Sequence, residues 1–377
     1  MKRFQQLSQS VFSTLGVTNH TLGLEMASST IRMVSNGKVV AQEPAIAFEH
    51  RALGVMHRFE TSKNRQNQTA SRQNSYQQNA FFHPNIAVKP LVSKGVLTDT
   101  RAAKETIESI IEKLTPAPSP FNQYAGICVV PTAATNLELQ ITRAALPSNS
   151  VRWNVLPKAI LHQLAVTHKF SESGMTAVLD IGSEVTELNV SKVPLTLETF
   201  TTSKLATTPQ LLTEWLEKNN VSHTLYWGTR DLEQQLQMLI RDTYQVQLSF
   251  EAFQMLFTQV GDDVFDVNTT PKGKFAVRAQ SLATGRPVTV TLHVSDLQPA
   301  FASWFEYLTT GLSVLLQRQQ EQWYTTMLQQ GVVVVGGGAA ISDLVPAIST
   351  FLDVPSTTVP EPRYWTVLGL QLATTKK

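Results

Sequence analysis

The densest hydrophobic run of the chain is Val332 to Val335, four β-branched residues in succession. A run without polar alternation predicts a strand buried on both faces. Gly336, Gly337 and Gly338 follow, and Ile341, Leu344 and Val345 then recur at helical spacing. A second pattern, Thr176 to Val190, reads as two strands around a turn. The first ends at Asp180, Gly182 opens the turn, and the second alternates, with Val185, Glu187 and Asn189 on one side and Thr186, Leu188 and Val190 on the other. Leu22 to Met33 is a weaker copy of the same device. Helical stripes lie between. Ala103, Ile107, Ile110, Ile111 and Leu114 form one, with Asp99 or Thr100 placed to cap it and Pro116 and Pro118 to end it. Thr208-Pro209 starts a helix that turns Leu212, Trp215 and Leu216 inward, and Asn219-Asn220 stops it. Asp231 to Thr243 and Ser249 to Phe257 predict two more, with Phe250, Phe253, Leu256 and Phe257 as core. Phe275 to Val294 alternates as strands, and Asp296 to Gln330 reads as a helix interrupted near Pro299 and Gly311.

Two stretches stand apart. Met1 to Leu15 places Phe4, Leu7, Val11, Phe12 and Leu15 on one helical face, with Lys2, Arg3, Gln5, Gln6 and Ser13 elsewhere. A cationic start with such a stripe suits a helix lying on anionic lipid, and equally one packed on the protein's own surface. It lacks the continuous apolar core and cleavage site of a signal peptide. Ser62 to Asn79 is rich in Asn, Gln and Ser with almost nothing apolar, so it reads as a surface loop or a partner-binding segment.

Composition narrows the field. The 377 residues suit two domains. Hydrophobic residues make up 42% and support real cores, while the charged share of 16% is low. Net charge is +2, which carries no general signal for nucleic acid. Cys128 is the one cysteine, so no disulfide forms within a chain, as in a reducing compartment. No apolar run reaches the ~18 residues of a membrane span. The eight histidines are scattered, with no His-x-x-x-His pair, so no protein-built metal site is expected.

The glycines carry the chemistry. Between a buried strand and a helix they let a flat ring or a phosphate approach bare backbone amides, although a tight strand-to-helix turn would use them too. A hairpin with Asp180 at its mouth and Gly182 in its tip can hold a metal-bound phosphate.

These three segments in this order resemble the actin, sugar-kinase and heat-shock-chaperone ATPase superfamily, and within it the MreB-type bacterial actins, which organise wall growth in rod-shaped cells. Val40 to Ala45, Val88 to Asp99, Val129 to Glu138, Glu361-Pro362 and Gly369 extend the resemblance along most of the chain. It implies an α/β, two-lobed actin-like (ribonuclease-H-like) ATPase fold with four subdomains. Residues 1–16 would be an amphipathic membrane-binding helix through Phe4, Leu7, Val11 and Phe12. Residues 17–173 would form domain I, with its small subdomain and polar loop at about 46–87, residues 174–341 domain II, and residues 342–377 a return to domain I. ATP with Mg²⁺ would touch Glu25, Ala27, Ser28 and Ser29 of the first hairpin and Gly182, Ser183, Glu184 and Thr186 of the second. Gly336, Gly337, Gly338 and Ala339 would lie at the adenine. By the same resemblance Glu138 would orient an attacking water and Asp180 would hold the Mg²⁺ shell.

The chain also departs from that pattern. The first phosphate loop of the family is Asp-Leu-Gly-Thr, here Glu25-Met26-Ala27-Ser28; the second is Asp-Ile-Gly-Gly-Gly-Thr-Thr, here Asp180 to Thr186 with Ser183 and Glu184 inside it. The following Gly-Gly-Asp is replaced by Ala206-Thr207-Thr208, the ribose and adenine Glu and Lys fall at about Gln254 and Phe257, and Glu-Glu-Pro becomes Val155-Leu156-Pro157. Glu184 is the sharpest misfit. Unpaired beside a phosphate at about 4 Å, it would cost roughly 4 kcal/mol at an effective dielectric of about 20, on the order of a thousandfold in affinity.

Two functions follow. One is a cytoskeletal filament subunit, stacked head to tail at the cytoplasmic face of the inner membrane, working with membrane-bound morphogenesis or assembly proteins. The other is an actin-fold scaffold or adaptor with a degenerate nucleotide site and weak ATPase activity at best. A sugar or acetate kinase needs an intact phosphate loop and a substrate-facing acid, and Val130 to Thr135 offers no sugar-binding cluster.

Overall fold

The computed structural model describes residues 18–50, 55–58, 86–114, 122–148, 151–171, 176–202, 209–260, 264–266, 268, 270–317, 325, 327 and 329–375. The N-terminal stripe of Phe4, Leu7, Val11 and Phe12, the polar stretch Ser62 to Asn79, and Ala206 to Thr208 lie outside the described residues. The chain divides into two compact units, Met1–Leu161 with Val367–Lys377, and His162–Thr366.

The first unit is built on strands β1 (Thr18–Met26), β2 (Thr30–Ser35), β3 (Lys38–Pro44), β4 (Ile46–His50), β5 (Val55–Arg58), β6 (Ile86–Pro90), β7 (Val92–Ser93) and β8 (Val96–Leu97). Helix α1 (Thr100–Glu112), β9 (Asn122–Val130), α2 (Asn136–Ala145), β10 (Val151–Pro157) and α3 (Lys158–Lys169) follow, α3 crossing into the second unit. Its main sheet has the order β10-β9-β1-β2-β3. The first three strands form an antiparallel meander, and β9 and β10 add in parallel beside β1. Helix α1 explains itself. Asp99 accepts the Ala102 amide at 2.9 Å as N-cap, and Ile107, Ile110 and Ile111 are buried with Leu22, Leu24, Ile31 and Met33 of the sheet. A three-stranded sheet β5-β4-β6 completes the unit.

The second unit continues with β11 (Ala177–Ile181), β12 (Thr186–Ser191), α4 (Leu197–Thr202), α5 (Pro209–Asn219), β13 (Asn220–Leu225), α6 (Thr229–Tyr244), β14 (Val246–Leu248) and α7 (Phe250–Gln259). Next come β15 (Lys274–Ser281), β16 (Pro287–His293), α8 (Val294–Gln317), β17 (Val332–Val335), α9 (Leu344–Leu352) and β18 (Ser356–Thr357), and α10 (Trp365–Thr374) passes back into the first unit at Val367. Its main sheet, β13-β12-β11-β17-β18, repeats the first: an antiparallel meander β11-β12-β13 with β17 and β18 in parallel beside β11. A three-stranded sheet β14-β15-β16 accompanies it, as β5-β4-β6 accompanies the first. Val332 to Val335 are all fully buried, each contributing roughly 1.5–3 kcal/mol of burial. Leu232, Leu236 and Ile240 of α6, Phe301, Trp304 and Leu308 of α8, and Leu344 and Ile348 of α9 share one core with Val332 and Val334.

Residues 342–366 lie in the second unit, where Leu344, Ile348, Leu352 and Val354 pack in its core and β18 pairs with β17. The other division between the units falls within α3, after Leu161. One expectation changes: helix α8 runs unbroken through Pro299 and Gly311. Pro299 removes one backbone bond near the N-terminal end, and the burial of Phe301, Trp304 and Leu308 offsets that loss. Gly311 leaves room for Leu225 of β13, whose Cδ2 would lie 2.8 Å from an added Cβ.

Candidate functional site

Strand β17 delivers the glycine turn to the mouth of β11. Gly336 has φ +85°, and a Cβ there would fall 2.2 Å from Asp180 Oδ1 and 2.4 Å from the Ile181 carbonyl oxygen. Its N–H donates to the Pro362 carbonyl at 3.0 Å. A Cβ on Gly338 would meet Ile181 Cγ2 at 2.4 Å. The fold itself therefore demands glycine at both positions. Gly337 is different. Its backbone is ordinary (φ −63°, ψ −31°), and a Cβ would find nothing within 4 Å. Gly337 is exposed, and no described residue occupies the space its side chain would enter. Ala339 is buried in the core. The Ser342 N–H donates to the Phe257 carbonyl at 2.9 Å, which ties helix α7 to this turn. Phe257 itself is core, edge-on to Phe301, while Gln254 is exposed on the same helix.

The hairpin between β11 and β12 is closed by Gly182 N–H to Val185 O at 2.9 Å and anchored from behind by α6. The Thr229 and Arg230 amides, first in that helix, donate to the Gly182 and Ser183 carbonyls at 3.0 and 2.7 Å. This needs close approach at Gly228, where a Cβ would lie 2.6 Å from Gly182 O. Trp304 Nε1 donates to the Gly228 carbonyl at 2.8 Å and fixes the junction to α8. The Thr186 hydroxyl donates to Trp227 O at 2.8 Å, so this predicted nucleotide contact holds the scaffold. Glu184 is not the unpaired charge that the sequence suggests: Arg230 Nη1 meets its Oε1 at 2.5 Å.

Asp180 sits at the end of β11, opposite Glu187 in the register. His162 Nε2 of α3 lies 3.4 Å from Asp180 Oδ2, and Asn189 Nδ2 lies 3.2 Å from His162 Nδ1. With Asn189 donating to Nδ1, the neutral ring carries its proton on Nε2, which lies 3.4 Å from both the Asp180 carboxylate and the Thr366 hydroxyl. His162, Asn189 and Gln163 are completely buried, so β12 is covered on its polar face as well as its apolar one.

The first unit repeats this hairpin with other side chains. Ala27 N–H bonds Thr30 O at 2.9 Å, as Gly182 bonds Val185, and Glu25 pairs with Arg32 where Asp180 pairs with Glu187. Glu25 Oε2 takes Arg32 Nη1 at 2.7 Å in a buried ion pair, with Gln42 accepting from Arg32 Nε at 3.3 Å. Ser28 is buried in the turn, and the Ser29 carbonyl accepts the Ala45 amide at 3.1 Å. Glu138 closes a capping box on α2: its Oε2 accepts the Thr135 amide at 2.6 Å, and the Thr135 hydroxyl accepts the Glu138 amide at 3.3 Å. The second unit thus brings together Asp180, the Gly182–Thr186 hairpin and the Gly336–Ala339 turn. Glu25, Ala27, Ser28, Ser29 and Glu138 belong to the first unit.

Residues 220–377 match the sequence pattern of the MreB/Mbl protein family. Among solved structures, MreB 5 of Spiroplasma citri bound to AMPPNP superposes with a TM-score of 0.71 at 14% identity, over 94% of this chain and 96% of that one. The same protein bound to ADP gives the same values. A MamK double helical filament gives 0.64 at 16% identity, over 96% of this chain and 100% of that one. This chain has the actin-like fold of those structures. No curated protein matches its sequence.

In this actin-like fold the residues expected around Mg²⁺ fit that ion poorly. Glu25, Asp180 and Glu184 each face a cationic or proton-donating side chain of the protein, and Glu138 caps its own helix. Among the described residues no group of three or more His, Cys, Asp or Glu could hold a metal ion. Cys128 adds no chemistry, since burial pushes its thiol up to about 12 and keeps it protonated. Sequence reasoning missed Arg32, Arg230, His162 and Asn189. Only Arg32 left a usable trace, because residues equally spaced from a tight hairpin turn must face each other.

Proposed function

We propose that the chain is the subunit of an actin-like cytoskeletal filament, that it binds a purine nucleotide at the Gly336–Gly338 turn and the Gly182–Thr186 hairpin, and that it hydrolyses this nucleotide slowly or not at all. The observation that carries the nucleotide is Gly337, a glycine that neither backbone strain nor packing explains, beside two glycines that both do. Structures of the same fold hold AMPPNP and ADP, which supports the reading. Slow turnover follows from Glu138. A water-orienting carboxylate must reach its water, and this one accepts its own helix's N-cap amide.

Filament formation is supported by the fold shared with a MamK double helical filament. Head-to-tail stacking is a heterologous contact that leaves the assembly open. Residues 1–16, with Lys2 and Arg3 ahead of the Phe4, Leu7, Val11 and Phe12 stripe, would hold such filaments on the inner face of the membrane. There they would serve cell shape or wall synthesis through membrane-bound assembly proteins. None of the described helices is long and apolar enough to cross a membrane. The adaptor reading, an actin-fold scaffold with a degenerate nucleotide site, is favoured by the buried pairing of Glu25 with Arg32 in the first hairpin.

One sedimentation experiment separates these readings. Full-length chain is spun with ATP, with ADP and with neither, each with and without anionic liposomes, and released phosphate is read from the supernatant. We expect nucleotide-dependent pelleting without liposomes, phosphate release near background, and loss of liposome co-sedimentation alone when residues 1–16 are deleted. A chain that never pellets by itself is the adaptor. Brisk phosphate release contradicts the slow-turnover reading.

A further inference from the structure

We propose that nucleotide binding by this chain needs no divalent cation, an inference that rests on the nucleotide reading given above. Mg²⁺ beside a nucleotide is held by phosphate oxygens, waters and one or two protein carboxylates. The carboxylates at the two hairpins and at α2 are already used. Glu25 is 2.7 Å from Arg32, with both side chains less than a tenth exposed. Glu184 is 2.5 Å from Arg230. Asp180 faces His162, which Asn189 holds from the other side of the ring. Glu138 is bonded to the Thr135 amide. Glu187, opposite Asp180, is 1% exposed.

Recruiting Glu25 to a metal would strand a buried guanidinium, which proteins avoid. A cation would then touch only the nucleotide's own phosphates and water. From the protein it would gain no more than an exposed ion pair supplies, at most about fivefold in affinity. A cation bound directly by a free carboxylate would instead gain on the order of a hundredfold or more.

Arg230 supplies positive charge in the metal's place. It is the second residue of helix α6, its amide is bonded to the hairpin, and its side chain is 34% exposed while Nη1 holds Glu184. A guanidinium has five N–H donors, so one carboxylate leaves others for a phosphate. Glu184, the residue that looked most hostile to phosphate, thereby serves to hold Arg230 at the hairpin.

The test is calorimetric titration of ATP into the full chain in excess magnesium and in excess EDTA. The two affinities should agree within about fivefold. Glu184→Gln, which keeps the shape but frees Arg230, should bind ATP more tightly in EDTA. Arg230→Gln should weaken binding in EDTA and make it magnesium-dependent, while its circular-dichroism melt reports that it folds. ATP binding by the wild type that disappears in EDTA overturns the inference and leaves the nucleotide reading standing. Absence of binding in both buffers overturns both.

Discussion

Gly336→Ala is expected to lower the unfolding free energy by about 2–5 kcal/mol. Two costs add. A left-handed backbone at φ +85° penalises a side chain by about 1–2 kcal/mol. Forcing a methyl group toward Asp180 Oδ1 and Ile181 O, which would lie 2.2 and 2.4 Å away, adds an overpacking cost of about 1–3 kcal/mol. Relief would need β17 and β11 to separate, and their parallel pairing from Ala177–Val332 to Asp180–Val335 resists that. Gly337→Ala, one residue on, should behave in the opposite way. Its backbone already suits alanine and its Cβ direction is open, so the change should stabilise by about 0.4–1 kcal/mol through the unfolded chain. Urea denaturation of the two variants checks the contrast. Equal losses at both positions would mean that the turn is not built as described.

Arg32→Met is expected to cost about 3–5 kcal/mol, since it leaves Glu25 charged and buried without its partner. Adding Glu25→Leu should restore most of the loss, because a buried ion pair replaced by apolar groups is often neutral or better. The exposed Arg101–Glu105 pair on α1 is the internal control: its side chains are 88% and 47% exposed, and Arg101→Ala should cost no more than about 0.5 kcal/mol. Denaturation curves for the three variants measure this directly. A mild Arg32→Met effect would show that solvent reaches the first hairpin and that Glu25 remains available to a ligand.

How much of this was legible in the sequence depended on the range of the interactions. Local patterns carried well. The Val332–Val335 run is a strand buried on both faces, the Asp180–Thr186 segment is a hairpin turn, and Asp99 caps α1. The stop read at Asn219-Asn220 does end α5, but the edge strand β13 that Asn220 then opens left no pattern, because its residues are all half-buried. Helix α8 looked broken at Pro299 and Gly311 because propensity counts the lost backbone bond but not the burial of Trp304 and Phe301.

The candidate site was legible in its backbone and illegible in its charges. Glycine positions follow from local geometry, but the partners of Glu184 and Asp180 come from other elements. Arg230 is 46 residues from Glu184 and reaches it only because α6 docks its first amides on the hairpin. His162 reaches Asp180 from α3, one of eight histidines with no spacing signal. As an isolated charge Glu184 would repel a phosphate, whereas its pairing with Arg230 offsets that charge.

If the turn at Gly336–Gly338 forms the floor of a nucleotide site, calorimetric titration of ADP into the wild type and Gly337→Leu will show it. The wild type should bind, and Gly337→Leu should lose at least about tenfold in affinity while melting at the same temperature. Equal affinities, or no binding by the wild type, would contradict the account.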